Sequence, residues 1–258
     1  MPPLTIDLPL SKEDLDRLTP AQWQAVISAD PCDAAQWMTH SAALGNANAQ
    51  TVLGQWLLDG HGQERAPQLA FAWFLKAAVQ GQPMGMNMAG RCFENGWGTE
   101  IDSFVAANWY RQAAHKGLDA GMYNYANVLA AGKGVAQNHT HALEWYRRAA
   151  DLNHAKSMTK IGRYYEDGLV VERDLDAAFF AYGEGAHGGD FRGQFNYAGM
   201  LAARGQMEGA LQWLRKVPLT ATPGYRMRAG NELLQSPHPT FRAIGQQMLD
   251  SLAPASVP

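Results

Sequence analysis

The chain has little cysteine, no sustained charge of one sign and no long apolar run, and each shortage excludes a class of function. Two cysteines in 258 residues, Cys32 and Cys92, cannot build a disulfide framework. They fall at different positions of the pattern described below, which argues against a shared metal, and both are expected to be small buried apolar residues in a reducing compartment. Lys and Arg number 21 against 24 Asp and Glu, with neither sign clustered, so neither nucleic acid nor an anionic membrane is an expected partner. No stretch reaches the roughly 18 apolar residues that span a bilayer. The opening MPPLTIDLPL has no basic leader, and Asp7 interrupts its apolar part, so no signal peptide is read there. The expectation is a soluble, cytoplasmic protein.

What the sequence has instead is a period. Trp37, Trp73, Trp109 and Trp145 stand 36 residues apart, and Ala34, Ala70, Ala106, Ala142 and Ala178 keep the same interval. Two glycine series run in step. One is Gly60, Gly96, Gly132 and Gly168; the other is Gly45, Gly81, Gly117 and Gly189, with Asn153 in its vacant slot. Self-similarity of this length marks a solenoid, in which each unit buries its apolar face only against its neighbours.

Each unit reads as helix A, a glycine turn, helix B and a second short turn. In the third, helix A is expected over about 120–131, with Met122, Tyr125, Ala126 and Leu129 on one face. Gly132 supplies the positive φ that ends it. Helix B is expected over about 139–151 and alternates bulky Trp145 and Tyr146 with small Ala142, Ala149 and Ala150, so the aromatic rings fill the space between helix pairs. Gly54, Gly90, Ala126, Gly162 and Ala198 mark the closest approach of A to B. Met86, Met122 and Met158 align as inter-repeat core.

The ends depart from the pattern. Ser11 with Asp14 resembles a capping box and Thr19-Pro20 a helix start, so capping helices are expected over 11–30. Trp213 arrives four residues early, which demands a shorter turn after Arg204-Gly205. The prolines from Pro218 to Pro223 read as a break, followed by a capping helix from about Pro239 to Leu252 and a frayed tail from Ala253 to Pro258. The division is therefore 1–32 for the N-terminal capping helices, 33–217 for the repeats and 218–258 for the C-terminal cap and tail.

These residues resemble the Sel-one-like repeat family, a relative of the tetratricopeptide repeats. Gly132, Gly134, Val135, Ala142, Trp145, Tyr146, Ala149 and Ala150 match its unit, as do Gly96, Gly98, Asp102, Trp109, Tyr110 and Gly117 in the unit before. The resemblance implies an all-α fold, an α/α superhelical solenoid of about five 36-residue repeats with capping helices at both ends. It implies a non-catalytic scaffold or adaptor that binds another protein or peptide, and it supplies no reaction and no cofactor. An alternative within the family is an immunity or inhibitor protein that blocks a toxin or effector of a bacterial secretion system.

Chemical motifs yield to the period. Ser157-Met158-Thr159-Lys160 matches S-x-x-K, a hydrolase nucleophile motif, but Ser157 occupies the small-residue slot of Ala49, Gly85, Gly121 and Gly193, and no S-D-N or K-T-G accompanies it. His139, His141 and His154 lie in or near turns without acidic or thiol residues at ligand spacing, so no metal is expected. The informative positions are those of helix A that vary between units. After the close-contact glycine stand Gln55, Arg91, Asn127 and Arg163; one turn earlier stand Thr51, Asn87, Tyr123, Thr159 and Phe195. If the pairs pack as in tetratricopeptide units, this strip lines the concave groove, where amides and arginines hold an extended peptide and its carboxylates. Gln55, Asn87, Arg91, Tyr123, Asn127, Thr159, Arg163 and Phe195 are the expected partner contacts, on a chain expected to be a monomer.

Overall fold

The computed structural model describes residues 11–252; the leader reading at the N-terminus and the frayed tail lie outside them. Among the described residues the regular structure is helical, without strands, and divides into two compact units, with the boundary in the chain between Asn138 and His139. The fold is an all-α helical-repeat solenoid.

The first unit holds α1 (Lys12–Asp16), α2 (Pro20–Ile27), α3 (Pro31–Ala43), α4 (Ala47–Asp59), α5 (Pro67–Val79), α6 (Pro83–Asn95), α7 (Ser103–His115) and α8 (Asp119–Ala131). The second holds α9 (His139–Ala150), α10 (Ala155–Asp167), α11 (Leu175–His187), α12 (Phe191–Ala203), α13 (Met207–Thr220), α14 (Pro223–Leu234) and α15 (Pro239–Asp250). The expected A and B helices of the third repeat are α8 and α9, within a residue of their anticipated bounds.

Glycine punctuates the helices as the period requires. Gly60, Gly96, Gly132 and Gly168 cap α4, α6, α8 and α10 in the left-handed region, with φ from 66° to 77°. In the second series Asn153 adopts a φ of 62°, the left-handed geometry that asparagine tolerates better than other side chains. Side chains begin the helices: Asp102 accepts from the Val105 amide at 2.9 Å and Asn46 from the Ala49 amide at 2.9 Å. Thr19 and Gln22 complete a reciprocal capping box before α2, and Ser11 accepts from the Asp14 amide before α1.

The core assigns the paired aromatics of each B helix differently from the sequence reading. Trp109 and Trp145, expected to fill the core, are only half-buried, whereas Phe74, Tyr110, Tyr146 and Tyr182 are fully enclosed. The helix turns about 100° per residue, so of two adjacent rings only one points at the neighbouring A helix. That ring lies across the close-contact glycine. A Cβ on Gly90 would stand 2.7 Å from the Tyr110 ring, and one on Gly162 2.7 Å from the Tyr182 ring. Trp109 packs beside the core cluster of Ala78, Met86, Ala89 and Ala113, while Trp73 and Trp145 carry cations: Lys76 Nζ sits 4.0 Å from the Trp73 centroid and the Arg148 guanidinium 4.5 Å from that of Trp145. Tyr110 donates to Glu94 at 2.6 Å and Tyr182 to Glu166 at 2.5 Å, which satisfies each buried hydroxyl.

Three further expectations change or sharpen. Cys92 is buried, and enclosure pushes its thiol up to about 12, but Cys32 is exposed near the start of α3. The connection from α12 to α13 does shorten, to Arg204–Gln206, as the early Trp213 demanded. The break expected over Pro218–Pro223 narrows to Ala221 and Thr222, between two helices. Pro218 rides in the last turn of α13, where the Ala221 amide still reaches the Val217 carbonyl at 3.0 Å, and Pro223 opens α14, whose N-cap Thr222 accepts from Tyr225. Helix α14 was missed because proline at a first turn starts a helix as readily as it ends one.

Candidate functional site

In the first unit successive A helices touch one another, α4 with α6 and α6 with α8, while no two B helices of that unit are comparably close among the described residues. The A helices are therefore the inner side of this unit, and the residues they present outward line its inner face. Gln55 on α4, Arg91 on α6 and Asn127 on α8 are half-buried. Gln55 donates to Asp59 at 2.8 Å. The Arg91 guanidinium stacks 4.8 Å from the Trp97 centroid, with Nη1 3.5 Å from the Met88 sulfur.

Gln55 and Arg91 open onto a cavity of about 240 Å³, completed by Asp59, Arg65, Pro67 and Trp97. Sequence reasoning missed Arg65 and Trp97, which belong to turns. A signal existed for Arg65: its Nε reaches back seven residues to the Leu58 carbonyl at 2.7 Å, and the same slot repeats the bond with Gln137 to Ala130 at 2.8 Å and Arg173 to Glu166 at 3.0 Å. These long polar side chains close the last turn of helix A. Ile101 fills the slot in the second repeat, cannot donate, and is 68% exposed.

Some other residues of the strip are turned to packing. Asn87 is 3% exposed and accepts from the Asn124 amide at 2.8 Å, tying α6 to α8. Tyr123 is half-buried on α8. In the second unit Thr159 is 6% exposed, its hydroxyl donating to the Ala155 carbonyl at 3.3 Å and seated where Cβ atoms on Gly185 or Gly193 would collide with it. Arg163 is exposed and pairs with Asp167 at 3.1 Å, which raises its already high pKa. Phe195 meets the Tyr225 ring edge-on at 6.1 Å, so the unforeseen α14 covers part of it.

The chemical motifs take structural places. Ser157 is fully buried and contacts His154 Nδ1 at 2.9 Å, beyond the reach of a substrate. Burial, then Arg192 and Arg163, lower the pKa of Lys160. His139 contacts the Tyr164 hydroxyl at 3.0 Å. Among the described residues no three His, Cys, Asp or Glu side chains gather to hold a metal, and no helix is long and apolar enough to cross a membrane.

A family model for the Sel1 repeat matches residues 47–82, 83–118, 119–154 and 155–189 in unbroken succession, over half of the chain. Among curated proteins none matches. Among solved structures, a Sel1 repeat protein from Oxalobacter formigenes superposes with a TM-score of 0.76 at 23% identity, over 90% of this chain and 99% of that one. A protective antigen of uropathogenic Escherichia coli displaying an SLR fold gives 0.65 at 22% identity, over 93% of this chain but 55% of its own. The immunity protein Pa5087 from Pseudomonas aeruginosa gives 0.53 at 16% identity, over 94% and 86%.

Proposed function

The chain belongs to the Sel1 repeat family, and from that premise we propose that it is a non-catalytic adaptor whose A-helix face binds a segment of another protein. Sel1 repeats serve generally as protein–protein interaction scaffolds. The observation that carries the finer reading is the cavity at Gln55, Arg65, Arg91 and Trp97 in the first unit. It combines guanidinium donors with an indole on the inner side of a repeat unit, the combination that dominates energetic centres of interfaces. Gln55 and Arg91 supply contacts there, Tyr123 and Asn127 supply contacts on α8, and Arg163 supplies a charge on the corresponding helix of the second unit. Asn87 packs beneath the A helices of the first unit, and Thr159 and Phe195 pack within the second. The reading includes a cytoplasmic location and the division into capping helices at 1–32, repeats at 33–217 and a C-terminal cap at 218–258.

The test is affinity capture with the wild type and the Arg91→Ala/Arg163→Ala variant, with circular dichroism to show that helicity is unchanged. A protein retained by the first and lost by the second supports the reading; equal retention moves the interface elsewhere. The alternative, an immunity protein, has a fold counterpart in Pa5087 and is tested separately by rescue of growth against a co-expressed candidate toxin.

A further inference from the structure

The C-terminal helices α13, α14 and α15 border an open cavity of about 330 Å³ that lies beyond the residues matched by the repeat model. Its apolar lining comes from Pro218, Leu219, Ile244 and Met248, and Leu219 leaves 79% of its surface in solvent. The polar lining is Arg215, Arg226, Gln247 and Ser251, and among these described residues none is acidic. Two arginines therefore line a partly apolar cavity without a carboxylate in its lining.

Arg226 is held in place. Its backbone amide bonds to the Thr222 carbonyl at 2.9 Å, and its Nη1 donates to Ser251 Oγ at 3.1 Å, which in turn donates to the Met248 carbonyl at 2.7 Å. Its Nε is covered yet has no acceptor. A covered charged donor without a partner is costly, and a native protein tolerates few of them. A guanidinium anchored through Nη1, beside a cavity whose lining holds no carboxylate, is preorganised for an anion. The apolar lining beside it disfavours a small hydrated ion and favours a carboxylate delivered with hydrocarbon attached.

We propose that this cavity binds an acidic side chain of a partner protein, presented next to an apolar residue that packs against Leu219, Ile244 and Met248. The two guanidiniums bond the carboxylate, and the neighbouring apolar side chain displaces water from the floor. The inference rests on the chain being a protein-binding scaffold but not on the A-helix face, so the cap is a second reading point with its own chemistry.

The experiment uses the full chain labelled with 15N and follows the arginine Nε–H signals by NMR. The probes are the peptide acetyl-Ala-Leu-Glu-Ala-amide, its Gln counterpart and inorganic phosphate. The expected result is that the Glu peptide shifts the Arg215 and Arg226 signals at about ten-fold lower concentration than the Gln peptide, as loss of a charge-assisted bond implies. In Arg215→Gln, which leaves the Arg226–Ser251 bond in place, that preference disappears. Equal shifts with both peptides, no shift, or phosphate binding as tightly as the Glu peptide overturns the proposal. Shifts at Arg91 with none at Arg215 or Arg226 also overturn it while leaving the A-helix reading standing; the reverse pattern supports the cap and counts against the A-helix face.

Discussion

Replacing Val170 with glycine should stabilise the protein. Gly62, Gly98 and Gly134 occupy the same slot in the other repeats, with φ of 67°, 72° and 69°, and Val170 adopts 58°. A β-branched residue in the left-handed region costs about 1 to 3 kcal/mol. Glycine removes that strain but returns about 0.5 to 1 kcal/mol through its more flexible unfolded chain. Val170 is 48% exposed, so little burial is lost with its side chain. The net gain is about 1 kcal/mol, or about 4 °C in the midpoint of a unit of this size. The reverse change provides the control. A Cβ on Gly134 would lie 2.1 Å from the Ser103 carbonyl oxygen, so Gly134→Val adds a backbone collision to the same strain and should lower stability by more than Val170→Gly raises it. Calorimetry of both variants, which resolves the units if they melt separately, measures the two effects. A Val170→Gly midpoint that is unchanged or lower would refute the argument, because it would mean that the turn holds no strain for glycine to release.

Truncating Tyr110 to alanine should cost about 3 to 5 kcal/mol and Trp109 to alanine distinctly less, measured by urea unfolding, since only the tyrosine is fully enclosed. Removing only the hydroxyl, in Tyr110→Phe, should cost about 1 to 2 kcal/mol from the bond to Glu94. Burial, then the Glu94 and Glu166 carboxylates, raises the folded pKa of Tyr110 and Tyr182 above the unfolded value of about 10. The stability this represents is complete below pH about 10 and is lost as the pH rises further, so the Tyr110→Phe/Tyr182→Phe variant should show a shallower alkaline loss of stability in the same titration. Cys32 should react with a thiol reagent at once and Cys92 only after unfolding, because Cys92 is enclosed and its thiol is held to about 12; labelling of both in the native protein would contradict the burial.

The architecture was legible because the constraints that make it recur in every unit. A left-handed φ after each A helix must be met at Gly60, Gly96, Gly132 and Gly168 alike, so a single sequence displays the same requirement four times. The slot of Asn153 was readable for the same reason, since asparagine is the usual substitute there. The order within the Trp-Tyr pair was not. Both residues repeat with the period, and only the three-dimensional angle between helices decides which ring crosses Gly90 or Gly162. Helix α14 lies outside the period altogether, so nothing in the repeats distinguished Pro223 as a start from Pro223 as a stop.

The candidate binding residues were harder to read for a reason built into repetition. A period reveals what every unit must do, whereas recognition of one partner depends on what a single unit does alone. Arg91 illustrates the limit. Its variability marked it as a contact, but its stacking on Trp97 and the cavity shared with Arg65 arise from a turn whose side chains had been read only as punctuation. The departures carry the information: Ile101 where a donor closes the helix in three other repeats, Val170 where glycine relieves the turn, and the Arg215 and Arg226 pair beyond the last matched repeat. Each imposes a local cost or leaves a group uncompensated, and folding alone does not require it. A specific partner in this scaffold is therefore best sought by perturbing its exceptions, since altering a residue common to all units changes stability and binding together.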